Sequence, residues 1–295
     1  MALRTSLKAH LAKLLTQKLA SSSKRIFSPA DLIEIFAELR TEWGLPKNLT
    51  MDKFRTLALE SEALKEIRLT ATYPLHTARY HSSKFTAYEL ALSLRPDSYL
   101  SHGTAALVHG LNTNRQDFIY VNQEQSAKVQ AGSLTQAALN RAFSSKQRQS
   151  TFIVSHEETR IMLLSGKDTN RLGVQEITGA QDEPIELTNL ERTLIDIAVR
   201  PAYAGGTQNV LYSYRGAIQK ISVDYLAEML EELEYLYPYH QAIGFYLQRA
   251  GHEPKSLTSL KRRGLKYDFF LAHGMKKTKF DSEWRIHYPE NFPES

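Results

Sequence analysis

Three apolar stripes at helical spacing, followed by two short extended runs, fill about the first eighty residues, and few small folds accept that order. Ser28–Pro29 opens the second stripe: Ser28 is placed as the cap, and Pro29 takes the first helical position, where a missing N–H costs nothing. Leu32, Ile33, Phe36 and Leu39 supply its apolar face, and Gly44 followed by Pro46 ends it. Thr50 caps a third helix that reaches about Ser61, after which Glu66–Thr72 and Thr77–His81 read as strands around Tyr73–Pro74. Three helices and a hairpin in this order are the layout of a winged helix-turn-helix.

The first stripe is basic. Met1–Arg25 holds six basic residues and no acidic one, with Lys8, Lys13 and Lys18 spaced through the apolar positions. A secretory signal would keep its apolar block unbroken. Leu7, Leu11, Leu14, Leu15 and Leu19 instead fall near one side of an amphipathic helix. No stretch of the chain approaches the roughly 18 consecutive apolar residues of a membrane span, so no membrane partner is expected. There is no cysteine, which excludes disulfides, thiol nucleophiles and cysteine-ligated metals, and is compatible with a reducing cytoplasm.

At 295 residues the chain is long enough for two domains. The polar Ser82–Ser83–Lys84 link divides residues 1–83, the winged helix, from residues 84–295, a larger mixed α/β domain. In the second part Phe85–Leu94 and Ser98–Leu111 are helical in pattern and Asp117–Asn122 is a strand. Ser126–Ser150, Gln/Ser-rich and without a period, reads as a long connection. Thr151–Ser155, Ile161–Leu164 and Leu172–Ile177 are strands, followed by helices at Asn189–Val199, Gln208–Gln219, Val223–Leu236 and Gln241–Arg249. Asp268–Ala272 and Trp284–Tyr288 close the chain as strands.

The formal net charge of +5 is unevenly spread. Met1–Tyr80 has 13 basic and 8 acidic residues, whereas Thr151–Glu234 has 7 basic and 14 acidic ones. A positive first segment beside a negative middle suits a nucleic-acid module joined to a partner domain. On the third helix, Phe54, Leu57 and Ala58 share one side with Met51, while Asp52 and Thr56 fall opposite, flanked by Lys53 and Arg55. In a winged helix that outer face enters the major groove, where threonine contacts bases and arginine or lysine binds guanine or phosphate. The candidate DNA-contact set is therefore Lys24, Arg25, Thr50, Asp52, Lys53, Arg55 and Thr56, with Arg68, Thr70, Tyr73, His76 and Arg79 on the wing. Glu60 and Leu59 are out of place in such a face. A plain solvated helix face is the competing interpretation.

Three later stretches resemble AbiEi-type antitoxins, the antitoxin components of bacterial type IV toxin–antitoxin systems. They are Leu94–Arg95–Pro96–Asp97–Ser98–Tyr99–Leu100–Ser101–His102–Gly103–Thr104–Ala105, Thr188–Asn189–Leu190–Glu191–Arg192–Thr193–Leu194–Ile195–Asp196 with Arg200–Pro201 and Gly205–Gly206, and Tyr237–Pro238–Tyr239–His240–Gln241–Ala242–Ile243–Gly244–Phe245–Tyr246. The resemblance implies an N-terminal winged helix that binds the operator DNA of its own operon and represses it. It also implies a C-terminal domain that counteracts a nucleotidyltransferase-like toxin, without requiring a stable complex between the two.

Catalysis finds little support. Glu191 and Asp196, five residues apart on a helix, project about 140° from each other and do not readily share a metal; an ion pair of Arg192 or Asp196 with a neighbour suits them better. His102, His109, His240, His252, His273 and His287 are dispersed, and no phosphate-binding glycine loop or nucleophile elbow is present. Asp182, Glu183 and Glu186 with Glu253–Pro254–Lys255 make a poor nuclease motif, because the proline suits a turn. Gly205–Gly206 is explained by a turn. No enzyme, metal or cofactor is expected. Tyr235, Tyr237, Tyr239, Phe245 and Tyr246 around Pro238 read as helix-junction packing rather than a stacking platform, since few basic residues interleave with them. Lys261–Arg262–Arg263 with Lys266, Lys276, Lys277 and Lys279 is either a surface for an anionic partner or a solvated face. The competing functions are a winged-helix protein adaptor and a nuclease with a DNA-docking domain.

Overall fold

The computed structural model describes residues 2–42, 44–74, 78–111, 117–127 and 133–293, and of residues 2–7 and 20 the backbone alone. In chain order it begins with α1 (Ala2–Ala20), β1 (Ile26–Phe27), α2 (Pro29–Glu42), α3 (Met51–Glu60), β2 (Lys65–Ile67), β3 (Thr70–Ala71), β4 (Arg79–His81) and α4 (Ala87–Ser93). Next come β5 (Tyr99–Leu100), α5 (His102–Val108), β6 (Ile119–Glu124), α6 (Gln136–Ser144), β7 (Ile153–His156), β8 (Thr159–Gly166), β9 (Val174–Thr178) and β10 (Pro184–Thr188). Helices α7 (Leu190–Val199), α8 (Thr207–Ala217), α9 (Val223–Glu232), α10 (Tyr239–Ala250) and α11 (Thr258–Lys261) precede β11 (Phe269–Phe270), β12 (Thr278–Asp281) and β13 (Ile286–Pro289). The class is mixed α/β, with a winged helix-turn-helix ahead of a larger α/β part.

One compact unit consists of Met1–Pro96 with Phe152–Ile161 and Ile177–Ile185. Leu11, Leu14, Leu15 and Leu19 of α1 are buried in one core with Leu32, Phe36 and Leu39 of α2 and Phe54 and Leu57 of α3. The basic first helix is thus a core helix, held by its leucines; the side chain of Leu7 lies outside the described residues. The ends of α2 and α3 follow from local chemistry. The Asp31 backbone N–H donates to Ser28 Oγ while Ser28 N–H donates back to the Asp31 carboxylate, and the Lys53 N–H donates to Thr50 Oγ1. Arg40 reaches across the turn between the two helices, donating to the carbonyls of Lys47 and Leu49 with its guanidinium 4.8 Å from the Phe36 ring centre.

The wing is a three-stranded sheet in the order β1-β4-β2, with Ile26 paired to His81 and Ile67 to Arg79. Here the expected strand Glu66–Thr72 is interrupted. Lys65–Ile67 pairs with β4, whereas Thr70–Ala71 turns away and pairs antiparallel with β7, Thr70 opposite Ser155 and Ala71 opposite Val154. Of the second expected strand, Thr77 lies outside the described residues, as does His76. The unit also fails to end at Ser83. The Thr86–Glu89 capping box starts α4, Arg25 lies 3.5 Å from Glu89, and Arg79 donates to the carbonyls of Ser93 and Leu94, so α4 is fastened to the winged helix and the unit extends to Pro96.

The second unit comprises Asp97–Thr151, Met162–Glu176 and Glu186–Ser295. Within it β5 pairs antiparallel with β6 and parallel with β10. Leu194 of α7, Tyr214 of α8, Leu226 of α9 and Phe245 and Tyr246 of α10 share a core with Trp284. A Cβ on Gly244 would lie 2.1 Å from Trp284 Cζ3, so only glycine lets the indole lie against α10. A small sheet, β11-β13-β12, completes the unit. The expected connection Ser126–Ser150 contains α6, capped by Thr135 and anchored by buried Leu139 and Phe143; at nine residues, with alanine and polar side chains at its other positions, the helix carries only these two large apolar anchors.

Candidate functional site

The polar face of α3 is the site that sequence and fold place together. Phe54, Leu57 and Ala58 are buried beneath it, while Asp52, Lys53, Arg55 and Thr56 are exposed. The face is already internally bonded: Arg55 Nη2 lies 3.3 Å from Asp52 Oδ1, and Thr56 Oγ1 donates to the Asp52 carbonyl at 2.9 Å. The two residues that suited a groove poorly have other roles. Leu59 packs against the core edge, and Glu60 faces Lys8 of α1 at 3.8 Å.

Around this face the expected contacts divide. Thr50 is the N-cap, with its side chain accepting from the helix rather than free to read a base. Lys24 is bound to Asp31 at 2.6 Å. Burial alone would raise the Asp31 carboxyl, but hydrogen bonds from Lys24 and Ser28 outweigh it and hold the group below its ordinary range. Arg25 is half-buried, donating to the Gln181 carbonyl at 2.7 Å as well as facing Glu89. Arg68 is exposed on the wing, and Tyr73 is half-buried with its ring edge-on to Phe152 at 5.1 Å.

Arg79 does not belong to the contact set. It is 5 % exposed, and its guanidinium donates to the carbonyls of Ala78, Ser93 and Leu94. Alternation along β4 explains the error: Arg79 and His81 share one face of the strand, and α4 covers the Arg79 end of it. Sequence reasoning also missed Phe152, 46 % exposed beside Tyr73, with Arg95 5.9 Å from its ring centre. No local signal announces it, because the pairing of β3 with β7 joins residues about eighty positions apart.

In the second unit Arg192 Nε lies 2.9 Å from Asp196 Oδ1, both side chains buried, and Arg192 Nη1 donates to Leu172 O at 2.6 Å. Glu191 accepts the Ser222 N–H, so the two acidic residues are turned to separate tasks. Glu124, half-buried, accepts from Tyr99 Oη, from the Thr169 hydroxyl and from the N–H groups of Thr169 and Arg171. Those hydrogen bonds overcome the effect of burial and lower its carboxyl. His102 is buried with Nδ1 2.8 Å from Ser101 Oγ, and burial lowers its imidazole to about 4. Glu253–Pro254–Lys255 leads into a short 3-10 turn, as the proline suggested. Gly205 and Gly206 both take positive φ in the turn before α8. Among the described residues no three His, Asp or Glu side chains are grouped to hold a metal ion, and no helix is long and apolar enough to cross a membrane.

One grouping was not legible in the chain order. Tyr235, Tyr237 and Tyr239 line the same cleft as Arg262, Arg263 and Lys266, so the aromatic cluster and part of the late basic run face one space.

The whole fold is similar to the crystal structure of the RV2827C protein from Mycobacterium tuberculosis, with a TM-score of 0.57 over 95% of this chain and 91% of that one. The two are 14% identical, a level at which the likeness concerns the fold alone. No family model and no curated protein matches the sequence.

Proposed function

We propose that this protein is a bacterial, cytoplasmic DNA-binding antitoxin that represses its own operon and counteracts a nucleotidyltransferase-like toxin, with no catalytic activity of its own. The observation that carries the DNA half is the exposed Asp52–Lys53–Arg55–Thr56 face on a helix whose opposite side is buried in a winged-helix core. A helix so mounted presents its outer side chains to the major groove while the wing lies along the backbone. The antitoxin half rests on the resemblance of the three later stretches to AbiEi-type antitoxins.

Two measurements on the full chain test the two halves separately. Gel-shift titration against the DNA upstream of its own gene, at two salt concentrations, tests repression; absent or salt-independent binding removes it. Co-expression with the gene adjacent to its own, transcribed from an unrelated promoter, tests neutralisation. Growth rescue is the expected result, and a well-expressed protein that gives none removes the antitoxin role.

A further inference from the structure

The cleft that gathers the tyrosines has a volume of about 870 Å³, within the range of pockets for small ligands. Its walls have opposite charge. Asp224, Glu228 and Glu231 recur at helical spacing along one face of α9 and form the acidic wall. Arg262, Arg263 and Lys266, just after α11, form the basic one. Between them lie half-buried Tyr235, Tyr237 and Tyr267. Tyr239, buried against Phe269 at 5.4 Å, stiffens the floor.

Several details set the chemistry of an occupant. Arg263 and Glu231 approach within 3.6 Å and largely neutralise each other, which leaves Arg262 and Lys266 as the cations and Asp224 and Glu228 as the acceptors. Lys266 Nζ lies 5.3 Å from the ring centre of Tyr267, so positive charge sits directly beside an aromatic face. His240 Nε2 is 2.8 Å from the Gly264 carbonyl; burial lowers its pKa, and as a neutral donor it fastens the segment that carries the basic wall. The hydroxyl of Ser259, also lining the cleft, is buried without a hydrogen-bond partner among the described residues.

A bare anion would gain from Arg262 and Lys266 but be repelled by the carboxylates of Asp224 and Glu228. An apolar ligand would leave both walls unused. A ligand with an anionic end, a planar ring and N–H donors satisfies all three parts. We infer that the cleft is a binding site for a free nucleotide, its phosphates toward Arg262 and Lys266, its base stacked on the tyrosines and its N–H groups toward Asp224 and Glu228. Base stacking on an aromatic ring and charge-assisted hydrogen bonds to phosphate are both strong enough to be read separately. The inference does not rest on the DNA-binding reading, since it uses other residues in the other unit.

Isothermal titration of the full chain with ATP, GTP, CTP and UTP tests it, alongside the matching nucleosides and inorganic tripolyphosphate. At least one triphosphate should bind, with its nucleoside and tripolyphosphate each weaker by about tenfold or more. The double variant Arg262→Ala/Lys266→Ala should lose about tenfold in affinity for that nucleotide while keeping its circular dichroism spectrum and its promoter binding. Both side chains are exposed, so the fold does not depend on them. Absence of binding by all four nucleotides overturns the inference. So does tripolyphosphate binding as tightly as the nucleotide, which marks a plain cationic surface, or a folded double variant with unchanged affinity. Loss of promoter binding in the wild-type chain would sink the repressor reading and leave this one standing.

Discussion

Arg79 and Asp52 carry opposite lessons about single residues. Arg79 is a charged side chain used as an internal tie, and Arg79→Ala would leave the carbonyls of Ser93 and Leu94 without that donor. The variant should lose about 2–4 kcal/mol in urea unfolding, with operator affinity per folded molecule unchanged. Asp52 is 88% exposed and holds Arg55 at 3.3 Å. Asp52→Asn removes both a charge that repels phosphate and a competitor for the guanidinium, so gel shifts should show DNA binding about two- to fivefold tighter. His102 gives the pH dependence. Burial keeps its folded-state imidazole neutral down to about pH 4, against an ordinary value of 6.5. Between these values the unfolded chain binds the extra proton, so stability is complete above about pH 6.5 and falls as the pH drops toward 4. The loss should approach about 3 kcal/mol from this group, and His240 and His273 shift in the same direction for the same reason. Urea midpoints at pH 7 and pH 4.5 check it. In His102→Asn the drop should shrink, since asparagine does not titrate and tolerates the φ of 52° found there.

Among the elements, those whose reason for forming is local were legible in the sequence. The capping residues Ser28 and Thr50, the stripe of α2 and the amphipathic α7, α9 and α10 all announce themselves through neighbours within one or two turns. What escaped was set by distant partners. Helix α6 has buried Leu139 and Phe143 among polar residues, and β10 is recognisable only by its pairing with β5. The α3 face was readable because the periodicity of one helix defines it; the tyrosine cleft was not, because its walls come from stretches about thirty residues apart that meet only in the fold. The strand exchange of β3 has a direct consequence for dissection. A fragment beginning at Lys84 keeps Phe152–Ile161 and Ile177–Ile185 but lacks most of the unit they belong to. It should aggregate on size-exclusion chromatography, whereas the full chain does not; a monodisperse fragment with native-like circular dichroism would show that these segments hold without their partners.

At the scale of the whole molecule, the functional reading depends on electrostatics that salt screens. If the α3 face and the wing meet phosphates, log affinity for the promoter should fall linearly with log salt concentration. Lys53→Ala/Arg55→Ala should flatten that slope by about 1–2, and an unchanged slope would place the contacts elsewhere. The pairing of Thr70 with Ser155 also sets a schedule for synthesis. When Ala71 leaves the ribosome its partner Val154 has yet to be translated. At roughly 5–20 residues per second the interval is on the order of 4–16 s. Throughout it β3, just beyond the wing strand β2, is an open strand edge on a nascent chain, of the kind that invites pairing with other chains. The winged-helix unit is therefore first in the message but not first to be finished, and translation that stops between the two strands releases it with the wing formed and β3 unpaired.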